Sequence, residues 1–260
     1  MINDTRDGGD FVQSLSRGLT IIRTFDAENP RLSLSDVARR TEISPAAARR
    51  FLLTLETLGY VRSDGRQFEL TARVLELGFS YLSALSLPEV MQPHLERLSR
   101  EVNESVSAAV LDGAEIVYVA RVLTRRIMTV NITIGTRFPA FATSMGRVLL
   151  ASLTPHERAA ATGDFPLPAI TDRTITNADT LRDELARVAE QGWAMVDGEL
   201  EVGLRSIAAP VHGRHGTVVA AINMSMNARG ESVEHIREHH VPLLLETARA
   251  IEGDLRLLLD

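Results

Sequence analysis

The chain contains no cysteine, which excludes disulfides, thiolate metal ligands and cysteine nucleophiles together. It also lacks any run near the roughly 20 apolar residues that a membrane span requires, so no membrane partner is expected. Residues 1–10 are polar and acidic. They show neither the basic nor the apolar segment of a secretory signal, and a cytoplasmic location is the expectation. Internal repeats and low-complexity tracts are absent as well. So is a broad excess of positive charge: the 260 residues carry a net −6, which argues against indiscriminate coating of nucleic acid. The charge is unevenly placed. Between residues 11 and 70, nine arginines face seven acids and leave +2, so the rest of the chain carries −8.

What is present fits two modest domains, since a typical domain has on the order of 100–150 residues and 45% of this chain is apolar. Leu15, Leu19, Ile22 and Phe25 recur at helical spacing, with Ser14 or Ser16 as a cap and Asn29-Pro30 as a stop. Ser35 is placed to cap a second short helix. Ser44-Pro45 opens a third, whose core face is expected at Ala48, Phe51 or Leu52, Leu55 and Leu58, and Gly59 ends it. Two short alternating runs around Asp64-Gly65 then read as a hairpin. Three helices and a hairpin make a winged helix-turn-helix over residues 11–71. Residues 72–86 read as a linker helix and 87–260 as a second domain. There, hairpin signals at Asp112-Gly113 and His215-Gly216, an alternating run at 127–134 and helices at 87–102, 144–152, 180–191 and 233–259 predict an α+β fold, an antiparallel sheet flanked by helices.

A helix-turn-helix lays its second helix in the major groove, which demands small residues at the helix start and donors on its outer side. Ser44, Ala46 and Ala47 are small, and Arg49 and Arg50 supply guanidinium forks for guanine or phosphate. Arg62 and Arg66 flank the wing tip, where a minor-groove or backbone contact is expected. An arginine pair alone is more often a solvated helix face. The ordered succession of helix, helix, Ser-Pro helix and Asp-Gly hairpin outweighs that, and double-stranded operator DNA becomes the expected partner.

The run Ser14-Leu15-Ser16-Arg17-Gly18-Leu19-Thr20-Ile21-Ile22, the stretch Glu56 to Arg62, and above all Gly192-Trp193-Ala194, Asp197-Gly198-Glu199 and Gly203-Leu204-Arg205-Ser206 to Val211 resemble the IclR family of transcription regulators. Tyr118 to Arg121, Arg125 to Ile132 and Gly135 to Ala151 are similar to the branch that includes PcaR, PcaU and PobR. The resemblance implies a GAF-like effector domain, assembly as a dimer or tetramer, a small aromatic or dicarboxylic acid as effector, and control of aromatic-acid catabolism through the β-ketoadipate pathway. RNA polymerase is a further candidate partner. No catalytic residue, cofactor or metal is implied.

Such a ligand needs a cation or a helix amino terminus and a few polar groups in an apolar pocket. Arg137 is the candidate carboxylate clamp. Thr143, Ser144, Met145 and Gly146 open a helix, Gly146 permitting close approach, and Asn223 and Ser225 share one face of an otherwise apolar strand. The resemblance carries ligand contacts onto Ser144, Met145, Leu204, Ser206 and Asn223, while Val196 stands where the family often has an acid, beside Asp197. Two other uses are weaker. A hydrolase built on Ser144 lacks the Gly-x-Ser-x-Gly elbow. His235, His239 and His240 have a spacing that could bind metal, but they read as an exposed face without the His-Glu-x-x-His pattern.

Overall fold

The computed structural model describes residues 11–77, 87–124, 132–163 and 165–258. The chain divides into two compact units, residues 1–84 and 85–260.

In the first unit, α1 (Gln13–Arg23), α2 (Leu34–Thr41) and α3 (Pro45–Thr57) surround a core of Ile21, Phe25, Val37, Ala48, Leu52 and Leu55. Leu15 and Leu19, part of the predicted α1 stripe, stay on the surface. The cap of α2 is Ser33, not Ser35. Its hydroxyl accepts the Asp36 N–H while the Asp36 carboxylate takes the Ser33 N–H, a reciprocal pair that fixes the helix start two residues earlier. Ser44 caps α3 by accepting the Ala47 N–H, with Pro45 in the first turn. The hairpin β2 (Val61–Ser63) and β3 (Gln67–Leu70) forms, and β1 (Arg31–Ser33) adds a third antiparallel strand in the order β1-β3-β2. After β3 a 3₁₀ turn spans Ala72–Val74 and residues 75–77 are helical; residues 78–86 of the expected linker helix lie outside the described residues.

The second unit is α+β. Its sheet is antiparallel in the order β6-β5-β4-β9-β8-β7, with β4 (Ser105–Asp112), β5 (Glu115–Val122), β6 (Arg137–Pro139), β7 (Ala194–Asp197), β8 (Leu204–His212) and β9 (Val218–Asn227). The expected alternating strand at 127–134 falls largely on residues 125–131, outside those described, and residues 132–136 form a turn. One side of the sheet packs against α4 (Leu87–Val102) and the C-terminal α8 (Val241–Leu258). The other carries α5 (Ser144–Ala151), backed by α6 (Pro155–Thr162) and α7 (Ala178–Gln191). Thr154 and Glu157 form a capping box at the start of α6. The final helix is not continuous: Val233–His235 leads into a π turn over Ile236–His240 before α8. Among the described residues no helix is long and apolar enough to cross a membrane.

Candidate functional site

Along α3 the residues left outside the core fall on one stripe. Ala46, Arg49, Arg50 and Leu53 are exposed at spacings of three and four, while Ala48, Leu52 and Leu55 point inward. Ala47 is half-buried, in a cleft that also holds Arg17 of α1 and Arg50. Arg66 is exposed at the wing tip. Arg62 is not aimed at the tip alone: its Nε donates to Glu69 at 2.5 Å, and Arg31 of β1 donates to the same carboxylate at 2.7 Å. These two arginines hold the Glu69 carboxyl below its usual range, Arg31 contributing most. Arg17, Arg31 and Leu53 were not among the DNA contacts expected from the sequence. Arg31 joins the wing only through the pairing of β1 with β3, 38 residues away.

The cavity of the second unit follows from sheet register. Arg121, Ser107, Asn223 and Ala208 form one cross-strand rung, and Ser105, Ser225, Ser206 and Val196 form the next rung on the same face. Strict alternation would put Tyr118 and Arg121, three residues apart, on opposite faces. A register shift between Ala108 and Ala109 brings both to this face. The amino end of α5, with Thr143 and Ser144, packs over it. The lining comprises Tyr118, Arg121, Ser144, Ser206, Asn223 and Ser225 among apolar walls from Ile132, Ala142, Val196, Leu200 and Leu204. Its volume is about 450 Å³ with the mouth included, yet it is so narrow that little more than a water fits without side-chain movement.

Among the described residues three buried polar atoms in this lining have no hydrogen-bond partner: Arg121 Nε, Ser144 Oγ and Asn223 Oδ1. Asn223 spends an amide N–H on Ser225 Oγ at 3.0 Å. Desolvation pulls the Arg121 guanidinium down from its ordinary value, with the Tyr118 phenol opposing, but arginine so shifted still carries its charge at neutral pH. Burial pushes the Tyr118 phenol up to about 12, so it keeps its proton and can both donate and accept. Among the described residues no carboxylate pairs with Arg121. A half-buried guanidinium with no counter-ion among the described residues, beside unmet hydroxyl and amide groups, has the chemistry to take an anion.

Several expected contacts are corrected. Arg137 does not line the cavity; it is held by Glu115 and Asp112, each at 2.7 Å, which raise its already high pKa. Met145 is buried in the core behind the lining. Gly146 is needed for its own chain, because a Cβ there would sit 2.1 Å from the Ala140 carbonyl oxygen. Thr143, not Ser144, caps α5, accepting the Gly146 N–H at 3.1 Å and freeing the Ser144 hydroxyl. Asp197 pairs with Arg205 at 2.8 Å, away from the lining. Thr143, Ser144, Leu204, Ser206, Asn223 and Ser225 do come together there, joined by Tyr118 and Arg121, which were not expected. Behind α5 the buried Arg147 donates to Glu199 at 2.5 Å and to the Phe141 carbonyl at 3.1 Å, fixing the loop that carries Leu200.

Comparison with known proteins follows the same division. The IclR helix-turn-helix domain matches residues 14–65, and the bacterial transcriptional regulator IclR C-terminal domain matches residues 79–253. The chain is 41% identical to the Pca regulon regulatory protein of Pseudomonas putida, over 92% of this chain and 83% of that protein. It superposes on a crystal structure from Rhodococcus sp. RHA1 with a TM-score of 0.86 and 56% identity, covering 95% of this chain and all of the other. An IclR homolog from Microbacterium hydrocarbonoxydans, crystallised with 4-hydroxybenzoate, matches with a TM-score of 0.85 and 29% identity, covering 94% and 99%.

Proposed function

Because the chain belongs to the IclR family of bacterial transcription regulators, we propose that it binds an operator through α3 and the wing and is switched by an aromatic monocarboxylate held on Arg121. It is a regulator and not an enzyme, as are the relatives it matches. The observation that carries the effector reading is the trio of unpartnered buried atoms, Arg121 Nε, Ser144 Oγ and Asn223 Oδ1, around one cavity. The Arg121 fork meets the carboxylate, the apolar walls hold the ring, and Ser144, Asn223, Ser225 and Tyr118 receive its hydroxyl groups. The 4-hydroxybenzoate seen with a homologous structure supports this ligand class, as do relatives that regulate pca genes and a p-hydroxybenzoate hydroxylase activator.

Charge favours an aromatic monocarboxylate over a dicarboxylate in this reading. Arg121 is the one cation among the described lining residues, so it matches one carboxylate; a dicarboxylate would bury a second charge unpaired. On the DNA side, Arg49 and Arg50 serve as base or phosphate contacts, Ala46 and Ala47 as the close-approach surface and Leu53 as an apolar contact for a thymine methyl. Ser44 and the first turn of α3 serve a phosphate, as do Arg66 and, in exchange for Glu69, Arg62. Working on chromosomal DNA, the protein would act in the cytoplasm.

In the first unit Leu15, Leu19, Leu58 and Leu77 line an open apolar groove. We assign it to a second copy of the chain, since a two-fold operator with half-sites roughly 34 Å apart calls for paired heads. Residues 72–86 would carry the effector signal between the units; no surface is assigned to RNA polymerase. The test is calorimetric titration of the full chain with 4-hydroxybenzoate, protocatechuate and adipate. Saturable binding of either aromatic acid, with adipate at least about tenfold weaker, supports the reading, and the reverse order contradicts it.

A further inference from the structure

We infer that Glu231, His235 and His240 form a site for a borderline divalent transition metal such as Zn²⁺, on residues that line no part of the effector cavity. One ligand atom from each residue lies within 4.8 Å of the other two. The His240 Nε2 is 2.5 Å and the His235 Nε2 4.0 Å from Glu231 Oε2.

The backbone explains why these histidines meet. At 3.6 residues per turn, side chains five apart on an α-helix point about 140° away from one another. Pro242 has no N–H to give the Glu238 carbonyl, and the chain opens into a π turn, with the Val241 N–H bonding five residues back to Ile236. The wider turn places His235 and His240 on one side, where Glu231 joins them from the loop after β9. The neighbouring His239, at the α-helical spacing that first suggested metal, is not in the cluster; its ring stacks on His235 at 4.2 Å.

The cluster is held in place before any ion arrives. Arg205 donates to the Glu231 carbonyl at 2.8 Å and anchors its other arm on Asp197. Ser232 accepts the His235 N–H at 3.1 Å. His240 is buried, its Nδ1 turned inward without a partner among the described residues, so Nε2 is the nitrogen that reaches out. The exposed His235 supplies the small movement needed to bring its ring to coordination distance. Among the described residues no arginine pairs with the Glu231 carboxylate, which faces only the two imidazoles. Two imidazoles and a carboxylate suit Zn²⁺, Ni²⁺ or Cu²⁺ rather than Mg²⁺ or Ca²⁺, and three protein ligands leave a fourth position for water. Bound there, the ion would clamp the loop after β9 to the start of the last helix and replace the His240–Glu231 hydrogen bond, the imidazole carrying its N–H on Nδ1.

The experiment is equilibrium dialysis of the chelator-treated full chain against ZnCl₂, with metal read by atomic absorption, paired with thermal melts. The wild type should take up one Zn²⁺ per chain and melt at a higher temperature with the metal. Glu231→Gln and His235→Gln, both at exposed positions, should lower affinity by at least about tenfold and abolish the melting shift. His239→Gln should leave both intact. Absence of Zn²⁺ uptake by the wild type overturns the inference. So does uptake that Glu231→Gln and His235→Gln leave unchanged, which would place the metal on other histidines.

Discussion

Replacing Arg121 by Gln keeps hydrogen-bonding atoms at the cavity wall but removes the charge that would hold a carboxylate. Charge-assisted hydrogen bonds contribute about 1.5–3 kcal/mol, so 4-hydroxybenzoate should bind roughly 10–100-fold more weakly by calorimetry. Arg137→Gln should leave that affinity unchanged, since its guanidinium is engaged by Asp112 and Glu115. The part-exposed pairs it breaks are worth under about 1 kcal/mol each. Gly146→Ala makes a different demand. The added methyl would collide with the Ala140 backbone, which is no flexible side-chain tip. Denaturant unfolding should show a loss of about 1–3 kcal/mol or more. The sequence singled out Arg137 for a local reason. Arg137 lies close in sequence to Thr143 and Ser144, whereas Arg121 reaches the same cavity only through strand pairing and a shifted register that no alternation pattern reveals. Asn223 and Ser225 were legible because polar residues in a buried apolar strand require partners, Ser144 because it opens a helix, and Ser206 only through the family resemblance.

At the scale of elements, long periodic segments could be read and short, tertiary-dependent ones could not. Residues 87–102 and the capping box of α6 carry their own signals. Strands β1 and β7 have three and four residues and exist because β3 and β8 offer them an edge. The π turn needs Pro242 to be weighed against the helix it enters, and helical spacing alone does not bring His235 and His240 to one side. The recognition helix was legible in its cap, its arginines and the core positions Ala48, Leu52 and Leu55, whereas Leu58, expected in the core, is exposed beyond the last turn. Its prediction concerns salt. Arg49→Ala with Arg50→Ala should abolish specific operator binding. If both arginines meet phosphates, the slope of log K against log salt should fall by about 1.8 in the residual binding. Fluorescence anisotropy at several salt concentrations measures this. A slope unchanged from wild type would place the arginines outside the interface.

For the whole molecule, the claim is that an aromatic acid in one unit changes what the other unit does on DNA. The narrow cavity gives this a physical basis: a ligand larger than water enters only if side chains, or the loop that carries Leu200, move. A ligand shifts an equilibrium only by its differential affinity for the two states. The cavity's form when occupied therefore sets the size of the response. If the groove at Leu15, Leu19, Leu58 and Leu77 seats a second copy, Leu19→Glu should shift the assembly toward monomer in light scattering and weaken operator binding with it. An assembly unaltered by Leu19→Glu would assign the groove elsewhere. The most direct measurement is operator binding by the wild type and Arg121→Gln, each with and without saturating 4-hydroxybenzoate. The account predicts equal affinity of the two proteins without ligand and a ligand-induced change in the wild type alone. A change of the same size in Arg121→Gln would contradict it.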